Sequence, residues 1–470
     1  MMQSEANMKL AFIGAGSIGF TRKLVADLLA VAELRAAELC LMDIDGDNLK
    51  MVEGLVRKDL EANKLAGVRL STTLDRREAV SGAKYIFCVA RVGGLAAFEH
   101  DIEIPLKYGV DQCVGDTICA GGIMYGQRTI PFILDLCRDI REAGAPEAML
   151  LNYANPMAMN TWAANTYGGV RTVGLCHGVQ HGHAQIAEVL GLRQQEVDIV
   201  CAGINHQTWY IQVRHKGEDM TGKLLAGFER HPVYREQEKV RIDILRRFGY
   251  YSTESNGHLS EYLPWYRKRR AEIAGWIDMR EWIHGETGGY LRHCRELRER
   301  FTKEYESWLS GPPLRYDAEH RSQEHGSYIV ESLETGRVYR GHFNVVNRGA
   351  ITNLPPDAVV EVPGYIDGNG MSIPSVGELP PGPAAICSAS VSVQRLALLA
   401  ATSGDDRLLR QAMMMDPLVG AVCNPPEIDR MVDELLIAQR QWLPQYGAAI
   451  EAAEKRRAAS SNGSRAAAGR

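Results

Sequence analysis

Cysteines are scattered along this 470-residue chain, and no two of them have the C-x-x-C spacing typical of structural zinc sites and redox motifs. The ten cysteines stand singly, and some lie in apolar strand-like runs, as Cys40 and Cys88 do. Because reduced, buried thiols are typical of the cell interior, the lack of a disulfide pattern predicts a cytoplasmic protein.

The chain also lacks a strong charge of either sign and a long hydrophobic run. Its formal net charge is −5 at pH 7, which argues against nucleic acid or an anionic membrane surface as a partner. Charges or glycines interrupt every apolar run well before the roughly 20 residues that a membrane helix needs, so no membrane span is expected. Residues 1–7 lack the basic and apolar regions of a signal peptide.

A glycine pattern near the start of the chain is the most specific local feature. The apolar run 9–13 leads directly into G-x-G-x-x-G, and a predicted helix follows over 21–30. Gly14 permits the tight turn, Gly16 lets the backbone approach a pyrophosphate, and Gly19 lets the helix pack against the sheet. This order of elements predicts a dinucleotide site whose phosphates lie at the helix N-terminus.

The residue that would distinguish the two nicotinamide dinucleotides follows the second predicted strand, 38–42. Asp43 can accept the ribose hydroxyls, and its carboxylate would repel a 2′-phosphate, so NAD is expected rather than NADP. The cofactor-binding residues predicted from this region are Gly14, Gly16, Ser17, Ile18, Gly19 and Asp43.

Strand-like and helix-like segments alternate through the first 200 residues, with further strands predicted at 68–72, 85–90 and 148–153. This alternation predicts an α/β fold with an N-terminal Rossmann-type doubly wound sheet, similar to lactate and malate dehydrogenases. The alternation fades from about residue 201. We therefore predict an NAD-binding domain over 8–200, a mixed α+β domain over 201–456 for substrate and metal binding and for oligomerisation, and a disordered tail over 457–470.

Two polar residues each follow a predicted strand in the middle of the chain. Cys176 comes after the apolar run 170–175, and His206 comes after the strand-like segment 197–202. A thiolate and an imidazole at strand ends can share a divalent ion, but their spacing fits no standard zinc pattern. The spacing alone favours a buried thiol and a hydrogen-bonded histidine, and His181 and His183 are further candidate ligands.

The motifs taken together resemble family 4 of the glycoside hydrolases, over about residues 8–450. These motifs are G-x-G-x-x-G at 14–19, Gly-Asp-Thr at 115–117, Asn-Pro-Met-Ala at 155–158, Gly-Leu-Cys-His at 174–177, Asn-His at 205–206, the block 253–265, Asn-Arg-Gly-Ala at 347–350 and Met-Asp-Pro-Leu at 415–418. Members of this family depend on NAD and follow a route unlike ordinary glycoside hydrolysis.

The resemblance implies hydrolysis by redox elimination. NAD takes a hydride from C3 of the sugar, a base removes the C2 proton, the aglycone leaves from C1, water adds, and the hydride returns. It also implies that Cys176 and His206 bind the metal, usually Mn²⁺, although a thiolate is softer than manganese generally prefers. Sugar contacts are implied for Asn155, which is also assigned to the cofactor site, and for His177 and Asp116.

The resemblance leaves the base and the sugar less defined than the cofactors. Tyr262 is the expected base, with Glu261 and His258 as alternatives, and His177 is the expected acid or a sugar-hydroxyl donor. Phosphosugar-cleaving members carry aspartate at the position of His177, so an unphosphorylated sugar is expected. The sequence is most similar to the α-galactosidase branch, with α-glucosidases and α-hexuronidases close by.

Several alternatives stay open from the sequence. A uronate substrate would need a cation near the sugar C6, and Arg91, Arg348 and His183 are candidates to supply it. An ordinary 2-hydroxy-acid dehydrogenase would share the first domain, and a catalytically silent NAD sensor would share only the cofactor site. The family resemblance also implies a homodimer or a homotetramer.

Overall fold

The computed structural model describes the backbone of residues 8–468 and the side chains through residue 459. Residues 1–7, where no signal peptide is predicted, and residues 469–470 lie outside this description. The strands are β1 (Lys9–Ile13), β2 (Glu38–Met42), β3 (Arg69–Thr73), β4 (Ala83–Cys88), β5 (Met149–Asn152), β6 (Arg171–Gly174), β7 (Asp198–Ile204), β8 (Gln207–His215), β9 (Glu218–Asp219), β10 (Tyr339–Val346), β11 (Val359–Asp367) and β12 (Gly370–Ser372).

The helices follow the strands closely in the first half of the chain and dominate the second half. They are α1 (Phe20–Leu29), α2 (Gly46–Ala62), α3 (Arg76–Val80), α4 (Gly94–Lys107), α5 (Cys119–Ala143), α6 (Met157–Ala163), α7 (Gly178–Leu190), α8 (Thr221–Arg230), α9 (Tyr234–Gln237), α10 (Lys239–Phe248), α11 (Asn256–Tyr262), α12 (Arg270–Ile273), α13 (Gly289–Ser310), α14 (His325–Thr335), α15 (Pro381–Ser403), α16 (Asp406–Met415), α17 (Pro417–Val422), α18 (Pro425–Ala438) and α19 (Gly447–Ala468).

The chain divides into two compact units that alternate along the sequence. Unit 1 comprises the residues up to Arg91, Ile133–Thr221 and Cys294–Leu379; unit 2 comprises Val92–Phe132, Gly222–His293 and the residues from Pro380 onward. Each unit therefore draws residues from both sides of position 200. The predicted boundary between 8–200 and 201–456 stays a prediction.

Unit 1 contains one mixed sheet with the strand order β3-β2-β1-β4-β5-β6-β10-β11-β7-β8-β9, and β12 pairs with β11. The first six strands are parallel, in the order of a dinucleotide-binding sheet, which confirms the predicted α/β fold. The later strands extend this sheet instead of forming a sheet of their own. β10 pairs antiparallel with β6 and so covers what would otherwise be an exposed edge.

The core of unit 1 follows from the apolar runs of the parallel strands. Phe12 on β1 and Phe87 on β4 are register partners whose rings stack with centroids 4.8 Å apart. Leu41 on β2 and Leu151 on β5 continue this buried layer, and α1 and α14 pack against each other beside it. The polar residues that follow each strand are thereby left at one edge of the sheet, where ligands of such folds bind.

Among its described residues, the named secondary-structure elements of unit 2 are all helices, and they are joined by turns and irregular segments. α15 packs along α16, and α18 packs against α4 and α19. α15 is long and apolar enough to cross a membrane, but 56% of its most apolar stretch is buried inside the protein, as expected of a core helix. The α19 backbone runs through Ala468 and so covers most of the predicted disordered tail, where alanines at 458, 459 and 466–468 favour helix.

Candidate active site

The glycine loop after β1 is tied to the end of β2. The amides of Gly14 and Ala15 donate to the Met42 carbonyl at 2.9 and 2.8 Å. The Gly16 amide donates to Oδ2 of Asp43 at 2.8 Å, while Oδ1 of the same carboxylate accepts from the Asp45 amide at 2.9 Å. Asp43 therefore orients the loop and stands at the strand end where the sequence predicts ribose binding.

Each of the three glycines of the motif is required for a different structural reason. Gly14 has φ +88°, and a Cβ there would lie 2.6 Å from the Ala90 backbone. A Cβ on Gly16 would lie 2.8 Å from the Asp43 carboxylate. Gly19 has φ +81° and no atom within 4 Å of a built Cβ, so its backbone angle requires glycine. The expectation that Gly19 serves close helix–sheet packing is therefore wrong.

The loop fits a dinucleotide by its backbone geometry. Ser17 and Ile18 are partly exposed beside Gly16, and α1 begins at Phe20 directly after the loop. Amides at the start of a helix lack intrahelical partners and attract phosphate. Ser17 and Ile18 thus lie between Gly16, which is bonded to Asp43, and the start of α1.

Cys176 and His206 each follow a different strand of unit 1 and lie close together in space. Cys176 follows β6, and His206 lies in the two-residue turn between β7 and β8. The Cys176 Sγ and a ring nitrogen of His206 lie within 4.8 Å of one another. Both residues are 8% exposed, so this pair lies largely out of water.

The pair fits a divalent ion. Ligands at about 2.0 to 2.3 Å from one ion lie up to about 4.4 Å apart, and a separation within 4.8 Å brings this pair close to or inside that span. The Gly178 amide at the start of α7 donates to the Cys176 sulfur at 3.4 Å, and such contacts favour the thiolate form that metals require. His206 has φ +63°, an uncommon angle for a non-glycine residue that holds its imidazole at the tip of the turn.

The other histidines proposed as ligands have different surroundings. His183 Nε2 lies 2.8 Å from the Val197 carbonyl, and burial lowers the pKa of His183. The His181 ring lies 4.7 Å from the His177 ring, centroid to centroid. A neutral, carbonyl-bonded His183 also makes a poor cation for a uronate carboxylate.

His177 is held by a carboxylate that the sequence did not single out. Its Nδ1 lies 3.2 Å from Oε1 of Glu324, which stands just before α14, and the His177 side chain is 47% exposed. Burial raises the pKa of Glu324, but hydrogen bonding and charge from His177, with Lys23 nearby, outweigh it and leave that pKa lowered. Glu324 is therefore an anion that orients an accessible imidazole.

The loop carrying Asn155 is built by the last residue of β5. Oδ1 of Asn152 accepts from the Ala154 amide at 3.1 Å, and Nδ2 of Asn152 contacts the Thr161 hydroxyl at 3.3 Å. The Asn160 side chain donates to the Ala154 carbonyl at 2.9 Å. Asn155 is thus placed, partly exposed, at the sheet edge shared by Gly16 and Cys176.

Tyr262 and Asp116 meet within unit 2. The Tyr262 side chain hydrogen-bonds Thr117, whose hydroxyl donates to Oδ1 of Asp116 at 3.0 Å. Tyr262 ends α11 and is 2% exposed. Burial, followed by the charge on Glu261, raises the pKa of Tyr262 well above its usual value. A basic Tyr262 therefore needs a cation beside it to lower that pKa.

The carboxylate of the alternative base Glu261 accepts hydrogen bonds from three backbone amides. Its Oε2 accepts from the amides of Cys113 and Val114 at 2.9 and 3.2 Å, and its Oε1 accepts from the Gly115 amide at 3.1 Å. This fully buried carboxylate thereby shapes the loop that leads to Asp116. His258 lies one turn earlier on α11, with its ring 5.7 Å from the Tyr262 ring.

Two anchoring carboxylates were thus not identified as such from sequence. Glu324 is far from His177 along the chain, so no local signal connects the two. The sequence indicates Glu261 only as an alternative base to its neighbour Tyr262. Its anchoring role has no local signal, because its three amide partners lie about 147 residues earlier. Both roles depend on long-range packing.

Two family models match the chain. The model described as family 4 glycosyl hydrolase matches residues 9–192, and the model described as family 4 glycosyl hydrolase C-terminal domain matches residues 201–419. An α-galactosidase from Rhizobium meliloti (strain 1021) is 60% identical over 454 residues, covering 96% of this chain and 92% of that protein.

Two solved structures are also similar to this chain. A 6-phospho-alpha-glucosidase from gut microorganisms, in complex with NAD and glucose-6-phosphate, has a TM-score of 0.77 at 27% identity over 93% of this chain and 98% of its own. A 6-phospho-beta glucosidase from Thermotoga maritima, with manganese, NAD⁺ and glucose-6-phosphate, has a TM-score of 0.75 at 23% identity over 93% and 99% of the two chains.

Proposed function

The chain belongs to family 4 of the glycosyl hydrolases, and we propose that it hydrolyses unphosphorylated α-galactosides with NAD and a divalent metal ion, Mn²⁺. Family membership confirms the predicted enzyme class, a glycoside hydrolase. The observation that carries the proposal is the Cys176–His206 pair, two potential metal ligands brought together from separate strands. The identity to an α-galactosidase supports the choice of sugar.

The proposed cofactor residues bind NAD through backbone and carboxylate groups. The backbone of the loop at Ser17 and Ile18 and the first amides of α1 receive the pyrophosphate, and Asp43 accepts the ribose hydroxyls while its bond to the Gly16 amide keeps the loop in place. When bound, NAD accepts and returns a hydride, and the divalent ion stabilises negative charge on the oxidised sugar. Cys176 and His206 would hold that ion, which would then interact with oxygens of the sugar.

Two side chains move protons in this proposal. Tyr262 removes the C2 proton, and the Thr117–Asp116 pair orients its hydroxyl. His177 donates a proton to the departing aglycone, and Glu324 holds the imidazole in its protonated form through Nδ1. Asn155 contacts the sugar from the loop that Asn152 supports.

The chain's own residues favour a neutral sugar. His177 stands where phosphosugar-cleaving members carry aspartate, and His183 is neutral and bonded to the Val197 carbonyl. α-Glucosides and α-hexuronides are the alternative substrates within the family.

Location and assembly rest on less direct observations. The ten cysteines all lie within the described residues, none of them forms a disulfide, and nine are buried. Reduced thiols of this kind support the predicted cytoplasmic location. The predicted homodimer or homotetramer stays a prediction.

A single assay tests the proposal against other enzyme classes. Purified protein is incubated with a chromogenic α-galactoside, with and without NAD and Mn²⁺, while aglycone and NADH are followed together. We expect aglycone release only when both cofactors are present, and no accumulation of NADH. Stoichiometric NADH without sugar release would indicate a dehydrogenase, and tight NAD binding without turnover would indicate a sensor.

The same assay on a substrate panel tests the sugar. α-Galactosides should be cleaved fastest in a set that includes α-glucosides, α-galacturonides, α-glucuronides and the β-galactoside. Faster cleavage of a uronide would show that a cation near C6 is present after all. Faster cleavage of the α-glucoside would keep the mechanism and change the sugar.

A further inference from the structure

A row of polar residues and glycines crosses the sheet of unit 1 close to the proposed metal ligands. The register pairs adjacent members of this row on neighbouring strands, from β5 through β6, β10, β11 and β7 to β8. In that order the row consists of Asn152, Gly174, Asn344, Glu361, Gly203 and Thr208. We call this set the polar row.

The polar row lies inside the protein, on the face of the sheet that α6 covers. A Cβ built on Gly174 would lie 2.9 Å from the Asn344 Cβ and 2.6 Å from the Thr161 hydroxyl. Asn344 and Thr208 are fully buried, and Glu361 is 1% exposed. An apolar residue would be the ordinary choice for such positions.

The row is adjacent in sequence to both proposed metal ligands. Cys176 comes two residues after Gly174, and His206 comes three residues after Gly203. The turn that carries His206 is also linked to the row directly, because Nδ2 of Asn205 donates to Oε2 of Glu361 at 3.4 Å. Displacement of the row would therefore be transmitted to the two ligand-bearing loops.

The row and its neighbours contain amide atoms that no protein group satisfies. Within residues 8–459, neither Oδ1 nor Nδ2 of Asn344 has a hydrogen-bond partner, and Oδ1 of Asn160 on α6 and Oδ1 of Asn205 are likewise unpartnered. Burying such atoms costs free energy, and proteins usually satisfy them with ordered water.

We propose that the polar row is a buried hydration site that keeps the Cys176 and His206 loops in the positions needed to bind the metal. Asn344 is its central positioning residue. Ordered water bridges the Asn344 amide to neighbouring polar groups, and Glu361 anchors the turn through Asn205. Groups outside the ligand shell orient the ligands and commonly change metal affinity about 10- to 100-fold when altered. This inference rests on the proposal that Cys176 and His206 bind the metal.

Asn344→Leu separates a positioning role from a structural one. Leucine has a similar size and no polar atoms, so it removes the unpartnered amide and excludes the water. We expect a melting temperature equal to or above that of the wild type, and a Kd for Mn²⁺ about tenfold or more higher, measured by electron paramagnetic resonance of free Mn²⁺. The Kd for NAD, measured by calorimetry, should stay within about twofold.

Two companion variants keep the test decisive if leucine disturbs folding. Asn344→Ser keeps a hydroxyl and leaves room for water, so its Mn²⁺ affinity should lie near that of the wild type. Glu361→Gln keeps the shape and removes the anchoring charge, so it should weaken Mn²⁺ binding about tenfold. Tyr316→Phe is the matched control, because it removes another buried, unpartnered hydroxyl of unit 1 and should leave Mn²⁺ affinity unchanged.

The outcomes distinguish this inference from the proposed function. Wild-type Mn²⁺ affinity in both Asn344→Leu and Glu361→Gln would overturn the role of the polar row. If Cys176→Ser abolishes Mn²⁺ binding in the same experiment, the assignment of Cys176 as a metal ligand is retained. If Cys176→Ser also binds Mn²⁺ normally, the metal assignment fails, and this inference fails with it.

Discussion

Nδ1 of His177 lies 3.2 Å from Oε1 of Glu324, although the two residues come from distant parts of the chain within unit 1. The histidine is half exposed, whereas the Glu324 carboxylate is 7% exposed. A buried anion behind an accessible imidazole fixes the ring and favours its protonated form. The arrangement suits an acid that donates a proton to a leaving group.

Glu324→Gln should therefore impair departure of the aglycone. The amide keeps the shape of the side chain and loses the charge that stabilises protonated His177. We expect kcat to fall about tenfold or more for a substrate with a poor leaving group, within the range that general acids contribute. The loss should be small for a dinitrophenyl galactoside, which needs no proton. Equal losses for both substrates would show that Glu324 acts otherwise.

Cys176→Ser should remove metal-dependent activity while NAD binding persists. A serine hydroxyl is a much poorer ligand than a thiolate, so Mn²⁺ binding measured by electron paramagnetic resonance should disappear. NAD affinity, measured by calorimetry, should change little. Cys201→Ser is a control, since that buried thiol of unit 1 lies within β7. Full activity in Cys176→Ser would refute the metal assignment.

Tyr262→Phe should slow the exchange of the substrate C2 proton with solvent. The phenyl ring keeps the packing near Thr117 and removes the hydroxyl that would act as the base. Exchange is followed by deuterium incorporation from D₂O, and we expect a loss of about 100-fold or more. Unchanged exchange would place the base elsewhere, with His258 next in line, because Glu261 is occupied by three backbone amides.

Gly16→Ala should weaken NAD binding through the Asp43 carboxylate. The added Cβ would lie 2.8 Å from Oδ2 of Asp43, so the carboxylate or the loop must move. We expect the Kd for NAD to rise about tenfold or more, since a displaced loop would no longer let the backbone approach the pyrophosphate. Gly67→Ala is the control, because no atom lies within 4 Å of its built Cβ. Equal NAD affinity in both variants would show that the loop tolerates the methyl group.

Asp416 should make stability fall as pH rises through the mildly acidic range. Burial raises the pKa of Asp416 to about 6 from its ordinary value of 3.8, although the amides of Cys119, Leu418 and Val419 donate to it. Between about pH 4 and 6 the unfolded chain loses this proton while the folded protein keeps it. Stability from this group is therefore full below about pH 4 and declines toward pH 6, by up to about 3 kcal/mol.

Asp416→Asn isolates that contribution. The amide cannot titrate, so the difference in unfolding free energy between wild type and variant should change across about pH 4 to 6 and level off above it. Urea unfolding at several pH values gives this difference directly. A difference independent of pH would mean that the three amide donors keep the pKa of Asp416 near its ordinary value.

The helical segment over residues 381–438 shows where local prediction stops. The structure divides it into α15, α16, α17 and α18, and Asp405, Asp416 and Asn424 cap the later three. These caps are readable from sequence, since Asp and Asn before a helix are strong start signals. The contact between Asp416 and Cys119 is not, because it joins residues 297 positions apart.

Local patterns in the chain are enough to predict the parallel sheet, the NAD loop and the place of Asp43, because apolar runs and glycine turns act over a few residues. The meeting of Cys176 and His206 depends instead on the assembled sheet, since their spacing alone favours two ordinary buried residues. β10 and β11, from far along the chain, lie between β6 and β7 and set the distance between the two ligand loops. Pairing between such distant strands requires burial of the whole sheet, which no local pattern encodes.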